Sequence, residues 1–291
     1  MKYIDSHVHL WDPNVLSYTW LAELPALNRP LLPHHLVGLV DKIAGAIVVQ
    51  ADCQPEQGLD EVRWINHLVD DASPIPLLGI VAWAPLEQGQ GVENYLQQLV
   101  SQQRVVGVRR SLQNEPDRLL YDEQYRMGVL CAARQGLSID MCVRQHQLPA
   151  LHDLLLWLYK RCPDARVVLD HMGKPAVLKD DITSWSRDLA ALACFPELYC
   201  KLSGLPTEAD WQYWQDDQLL RYLHSALDLF GARRCMFGGD WPVVELAGGY
   251  RRWKHCVTTA LSQLTPEEQQ AVWYGTAYQA YSLDKGTSSI H

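Results

Sequence analysis

Eight short hydrophobic runs punctuate the chain: Tyr3–His9, Ala46–Gln50, Leu77–Trp83, Val105–Arg110, Ser138–Val143, Arg166–His171, Tyr199–Ser203 and Cys235–Asp240. Their ends recur about every 33 residues, close to the length of one strand–helix unit. The runs are rich in Val, Ile and Leu and often unbroken, as parallel strands buried on both faces require. The segments between them carry apolar residues at helical spacing. Leu148–Arg161 stops before Pro163, and Asp216–Phe230 begins on acids and stops at Gly231. Thr265-Pro266-Glu267-Glu268 combines an N-cap, a proline at the first helical position and a capping-box glutamate, opening a last helix from Pro266 to about Tyr281. Eight strand–helix alternations without a break in composition predict one α/β domain over 1–283, a (β/α)8 TIM barrel, and a frayed polar tail over 284–291. An open doubly wound sheet is the competing architecture. It would carry a Gly-rich phosphate loop after an early strand, and none is present.

Barrel chemistry sits at the C-terminal ends of the strands. His9, Gln50, Trp83, Arg110, His171, Ser203 and Asp240 all close their runs, so one pocket would collect them. Alternation along a strand puts His7 and His9 on one face, about 7 Å apart. Alone, such a pair reads most simply as surface or satisfied core histidines. With His171 and Asp240 closing the sixth and eighth runs, it becomes a plausible set of ligands for one zinc-like divalent ion. The same set works without metal, because a carboxylate beside histidines can take a proton from water. Neighbouring strand residues face opposite ways, so one of Arg109 and Arg110 enters the pocket. There it could grip a carboxylate or hydroxyl, or it could pair with an acidic helix. Lys201, inside a barrel strand, calls for a carboxylate partner, and Lys174 for loop support. Ser203 lacks a nucleophile elbow and is assigned to hydrogen bonding. Trp83 and Trp241 are candidate walls for a substrate ring.

Composition narrows the partners. The formal net charge is −9, which argues against nucleic acid or an anionic membrane and leaves a small molecule as the partner. No apolar run approaches the roughly 18 residues of a membrane span. The start of the chain shows no signal-peptide pattern, and eight cysteines without close pairs suit reduced thiols, so a cytoplasmic protein is expected. The oligomeric state stays open, a homo-oligomer included.

IDSHVHLWDP, VVLDHMGKP, CKLSGL and MFGGDWPV, in that order, resemble the marker segments of the amidohydrolase superfamily. More narrowly they resemble its sugar-lactone and 2-pyrone-4,6-dicarboxylate lactonase branch, the L-fuconolactonase-like proteins. The resemblance runs from Asp5 to the last helix. It implies a distorted, metal-dependent-hydrolase type of barrel and hydrolysis of a lactone ester. It implies that Asp240 is the general base toward water, and that His7, His9 and His171 surround the reacting carbonyl directly or through one divalent ion, zinc or manganese. Members of the branch differ in whether turnover needs the metal. The superfamily's two-metal enzymes carry a carboxylated lysine at the end of strand four. Here that strand ends Val108-Arg109-Arg110, which disfavours a bridged two-metal centre. Many single-metal members have a histidine at the end of strand five. Here Cys142-Val143-Arg144-Gln145-His146 delays it into the loop, where His146 would face the substrate. The family usually keeps an arginine near Arg109 and Arg110, which favours substrate contact. Two other readings are a metal-dependent non-oxidative decarboxylase of the same superfamily and an inactive carbohydrate-binding barrel.

Overall fold

In the computed structural model, which describes residues 1–70 and 73–283, the eight runs form one parallel sheet in sequential order. The strands are β1 (Tyr3–Val8), β2 (Ile43–Val49), β3 (Leu77–Trp83), β4 (Val105–Arg109), β5 (Ser138–Met141), β6 (Val167–Leu169), β7 (Leu198–Leu202) and β8 (Cys235–Phe237). The outer helices are α1 (Pro33–Val37), α2 (Gly58–Asp70), α3 (Glu93–Val100), α4 (Glu123–Arg134), α5 (Leu148–Tyr159), α6 (Ile182–Ala193), α7 (Asp216–Phe230) and α8 (Tyr250–Leu261). This is a nearly closed (β/α)8 barrel. β3 and α7 have the bounds read from sequence, and several strands stop early because their polar ends leave the ladder to enter the site. The tail over 284–291 lies outside the described residues. Among the described residues, no helix is long and apolar enough to cross a membrane. All eight cysteines are free, and Cys194 is exposed.

The seam between β8 and β1 is closed by hydrogen bonds at its upper end. Asp240 N donates to His7 O at 2.8 Å, and His9 N donates to Trp241 O at 2.7 Å. The buried Asp5 carboxylate reinforces the seam, accepting from Gly239 N at 2.8 Å and from the Tyr250 hydroxyl at 2.8 Å. Four candidate residues, His7, His9, Asp240 and Trp241, therefore sit on the joint itself.

Inside the barrel, Ile4, Ile47, Val49, Val81, Val168 and Met236 form an apolar floor. The last helical segment plugs it from below with Ala277, Ala280 and Tyr281. That segment opens on the expected capping box, with Thr265 N donating to Glu268 at 2.9 Å and Glu268 N to Thr265 Oγ1 at 3.3 Å. It is not one uniform helix: α9 (Pro266–Gln270) passes through a π turn over Ala271–Gly275 into α10 (Thr276–Ala280). Such bulges let a helix re-aim without ending, and here the turn brings the plug residues under the barrel.

Candidate active site

β1 carries an irregularity that decides which residues face inward. Its register against β2 runs from Asp5↔Ala46 to Val8↔Val48, three steps against two. The extra residue switches the inward set from Ile4 to His7, as a β-bulge does. His7 and His9 are thereby both buried, with their Nε2 atoms 3.1 Å apart.

His171 and Asp240 reach the same point through strained backbone. His171 has φ +53° and Asp240 φ +54°, in the left-handed region that non-glycine residues seldom occupy. Each such residue costs on the order of 1–3 kcal/mol and persists where surrounding structure enforces it, commonly at functional sites. Asp240 Oδ1 lies 3.7 Å from His7 Nε2 and 3.6 Å from His9 Nε2. The ring centroids of His7 and His171 are 4.5 Å apart. Two glycines make room. A Cβ on Gly204 would collide with the His171 ring, and one on Gly238 would stand 2.8 Å from the His7 Cβ.

Beneath the imidazoles lies a buried charge network. Lys201 donates to Asp140 at 2.5 Å, stands 3.0 Å from Asp170, and lies 3.1 Å from His7 Nδ1. Arg109 donates to Asp170 at 3.2 Å and to Gln50 O at 2.7 Å, and its Nη1 is 3.4 Å from His7 Nε2. Tyr281, from below, donates to Asp140 at 2.9 Å. The Lys201 pairing matches the expectation for a barrel-strand lysine. Asp140 and Asp170 had no assigned role in the sequence reading. An acid inside an otherwise apolar run, on the same parity as Ser138, was the available signal for Asp140.

These contacts constrain the protons. Val49 O can only accept, so His9 Nδ1, at 2.8 Å, carries a hydrogen and its Nε2 turns inward. His7 has a donor, Lys201, and an acceptor, Asp170 at 3.3 Å, both beside Nδ1, so either tautomer is satisfied. Ser203 Oγ, 2.8 Å from His171 Nδ1, likewise serves either tautomer. Burial, with Lys201 next, holds the His7 imidazole neutral, well below its ordinary range. Burial also pulls His171 down to about 3. Burial alone would raise the Asp240 carboxyl. The imidazoles around it, His171 foremost, outweigh that and keep it ionised below the usual carboxylate range.

Neutral imidazoles beside an ionised carboxylate fit a divalent ion. Ligand atoms of His7, His171 and Asp240 lie within 4.8 Å of one another, all buried. His9, although beside His7 and Asp240, falls outside that group. Cys142, Asp170 and His171 form a second set at the same spacing, but Asp170 is already shared by Lys201, Arg109 and His7, which leaves it little capacity for an ion.

Other candidate residues stand apart from the cluster. Arg110 faces outward and binds Glu87 at 3.1 Å and Glu115 at 2.7 Å, while Arg109, on the opposite face of the strand, turns inward to Asp170. His146 is 61% exposed and lies 3.4 Å from Asp117. The loop after β5 carries it out to solvent. The Trp83 ring packs edge-on against Tyr95, with centroids 5.8 Å apart, and close over Gly58. Trp241 is buried and borders a separate cavity of about 240 Å³ with Arg29, His35 and Glu245, which none of the three histidines or Asp240 lines.

The amidohydrolase family model matches residues 4–283. The chain belongs to this family. It is 35% identical to an L-fucono-1,5-lactonase of Burkholderia multivorans, over 96% of each chain. It is 29% identical to an L-fucono-1,5-lactonase of Burkholderia ambifaria, over 99% of this chain and 98% of the relative. A crystal structure of a Burkholderia multivorans amidohydrolase with bound zinc superposes with a TM-score of 0.83 at 32% identity, covering 97% of this chain and 99% of that one.

Proposed function

We propose that this amidohydrolase opens a small sugar-type lactone, with Asp240 as the base toward water. The observation that carries the reading is the convergence of an ionised Asp240 with His9 and with the neutral imidazoles of His7 and His171 beside the barrel seam. The two lactonase relatives support the substrate class, since they align over nearly the whole length of this chain.

In this reading Asp240 accepts a proton from a water molecule, and the hydroxide formed attacks the lactone carbonyl carbon. Negative charge develops on the carbonyl oxygen. An imidazole N–H of His7 or His171 and the Arg109 guanidinium are the donors available to stabilise it. The ring C–O bond then breaks, and protonated Asp240 returns its proton to the leaving alkoxide, releasing the hydroxy acid. The similar amidohydrolase with bound zinc supports a divalent ion in this chain too. His7, His171 and Asp240 would hold it, and it would supply Lewis-acid polarisation of the carbonyl. Burial of the network below keeps competing water from the charged groups.

Asp240→Asn tests the assignment directly. The isosteric amide cannot accept the proton, so kcat on an aldonolactone should fall by roughly 10²–10⁴. Acid release, followed with a pH indicator, reads the rate, and circular dichroism checks the fold. Wild-type rates in a folded Asp240→Asn protein would remove Asp240 from the chemistry. Release of CO2 from an aromatic acid, with no lactone opened, would favour decarboxylation instead.

A further inference from the structure

Among the described residues, every cation around the imidazoles has an acidic neighbour, and one carboxylate serves two of them. Glu208 projects from the short helical turn Pro206–Glu208 after β7. It accepts from Lys174 Nζ at 3.1 Å, and its other oxygen lies 3.6 Å from Arg144. Lys174 follows His171 in the turn after β6, and its charge acts on both His171 and Asp240. Arg144 comes from the loop after β5. The loops after three successive strands therefore meet at Glu208, whose side chain is only 16% exposed. Elsewhere Arg109 is held by Asp170, Lys201 by Asp140 and Asp170, and Arg110 by Glu87 and Glu115. Asp52, beyond β2, adds negative charge felt by Arg109. Thus Arg109, Arg144, Lys174 and Lys201 stand against Asp52, Asp140, Asp170, Glu208 and Asp240, and carboxylates exceed cations by one.

We propose that Glu208 sets substrate specificity, selecting uncharged polyhydroxylated lactones and rejecting lactones that carry a carboxylate. A substrate carboxylate entering this mouth loses water and needs a free guanidinium or ammonium in exchange. Lys174 and Arg144 are the two placed to meet it; Glu208 binds Lys174 and stands 3.6 Å from Arg144, which also donates to Gln113 O at 2.9 Å, and its charge repels the newcomer. For a hydroxylated ring the same carboxylate is an asset. It is an acceptor held in place by two cations, and it has lone pairs left for substrate hydroxyls. An ion among the imidazoles would offset the excess of carboxylates but would not free Lys174, so with metal the inference rests on the Glu208–Lys174 pairing and not on the charge count. It rests on the lactonase reading of the site.

The test is Glu208→Gln, which keeps the shape and removes the charge. kcat/KM is measured for wild type and variant on an uncharged 1,5-aldonolactone and on an aldaric monolactone of the same ring bearing a free carboxylate. Wild type should favour the uncharged lactone by roughly 10² or more. In the variant the uncharged lactone should lose roughly tenfold, mainly through KM, and the carboxylated one should gain roughly tenfold, as expected when a charged partner is exchanged. A parallel loss on both substrates, or an unchanged ratio, would mean that Glu208 only supports the loop. Equal use of both lactones by wild type would also overturn the proposal. If wild type opens no lactone of either kind, the lactonase reading itself fails and this inference goes with it. If wild type opens the uncharged lactone and the ratio does not move, the specificity claim alone fails.

Discussion

Buried carboxylates in this molecule behave in opposite ways, and individual partners decide which. Asp170 is surrounded by Lys201, His7 and Arg109, which together overcome its burial and hold it far below the usual range. Glu61, at the start of α2, receives hydrogen bonds from Ala51 N at 3.1 Å and the Tyr18 hydroxyl at 3.3 Å on one oxygen. The Arg109 guanidinium is the one cation that acts on it, and its pull is the weakest of the influences on this carboxyl. Burial, chiefly, raises it to about 7. Its folded value thus exceeds its unfolded value of about 4.5. Glu61 therefore contributes stability that is fully present below about pH 4.5 and is lost as pH rises through about 7. Glu61→Gln removes this dependence. The stability of wild type relative to the variant should fall by about 3 kcal/mol between pH 4 and pH 8. Denaturant unfolding of both proteins across that range measures the difference, and parallel curves would contradict the raised Glu61 value.

At the scale of elements, the barrel strands do two jobs on alternate residues. Outward residues such as Val48, Ile80 and Ala82 pack under the helices. Inward residues pass from an apolar floor through the Lys201, Asp140 and Asp170 layer to the imidazoles. That middle layer joins β5, β6 and β7 by charge rather than by apolar packing. Lys201→Met should strip both aspartates of their ammonium partner and destabilise the protein by about 3–5 kcal/mol. Adding Asp140→Asn should restore part of that loss, since it removes one of the stranded charges. A double mutant less stable than Lys201→Met alone would show that the pair is not coupled in this way.

At the scale of the whole molecule, ion binding and folding are linked through the seam. His7 and Asp240 join β1 to β8, while His171 hangs from the strained turn after β6. An ion held by all three would bind the folded state and not the unfolded chain. Zinc at about 100 times its Kd should therefore stabilise the protein by about 2.7 kcal/mol, seen as a rise in Tm. His7→Ala and His171→Ala should abolish the rise while leaving a cooperative transition. An equal rise in both variants would move the ion elsewhere.

Much of this was legible along the chain. Eight apolar runs at regular spacing are enough for a parallel barrel, because period and spacing are local properties. The marker segments around His7, His171 and Asp240 were legible for the same reason. Other features depend on residues distant in sequence. Strand alternation says that Arg109 and Arg110 diverge, but only the neighbours Glu87, Glu115 and Asp170 decide which one turns inward. Trp83 at a strand end and His146 in the loop after β5 have the right chemistry, yet the loop's path carries His146 to solvent, and Tyr95 with Gly58 holds Trp83. Glu208 lies in a loop with no pattern of its own and acquires a role only where three such loops meet. The order and kind of elements were thus determined by the sequence alone, since backbone propensity and hydrophobic period act over a few residues. Which charged groups pair, and which are left to face a substrate, was decided by tertiary structure, because electrostatic partners are chosen by distance in space.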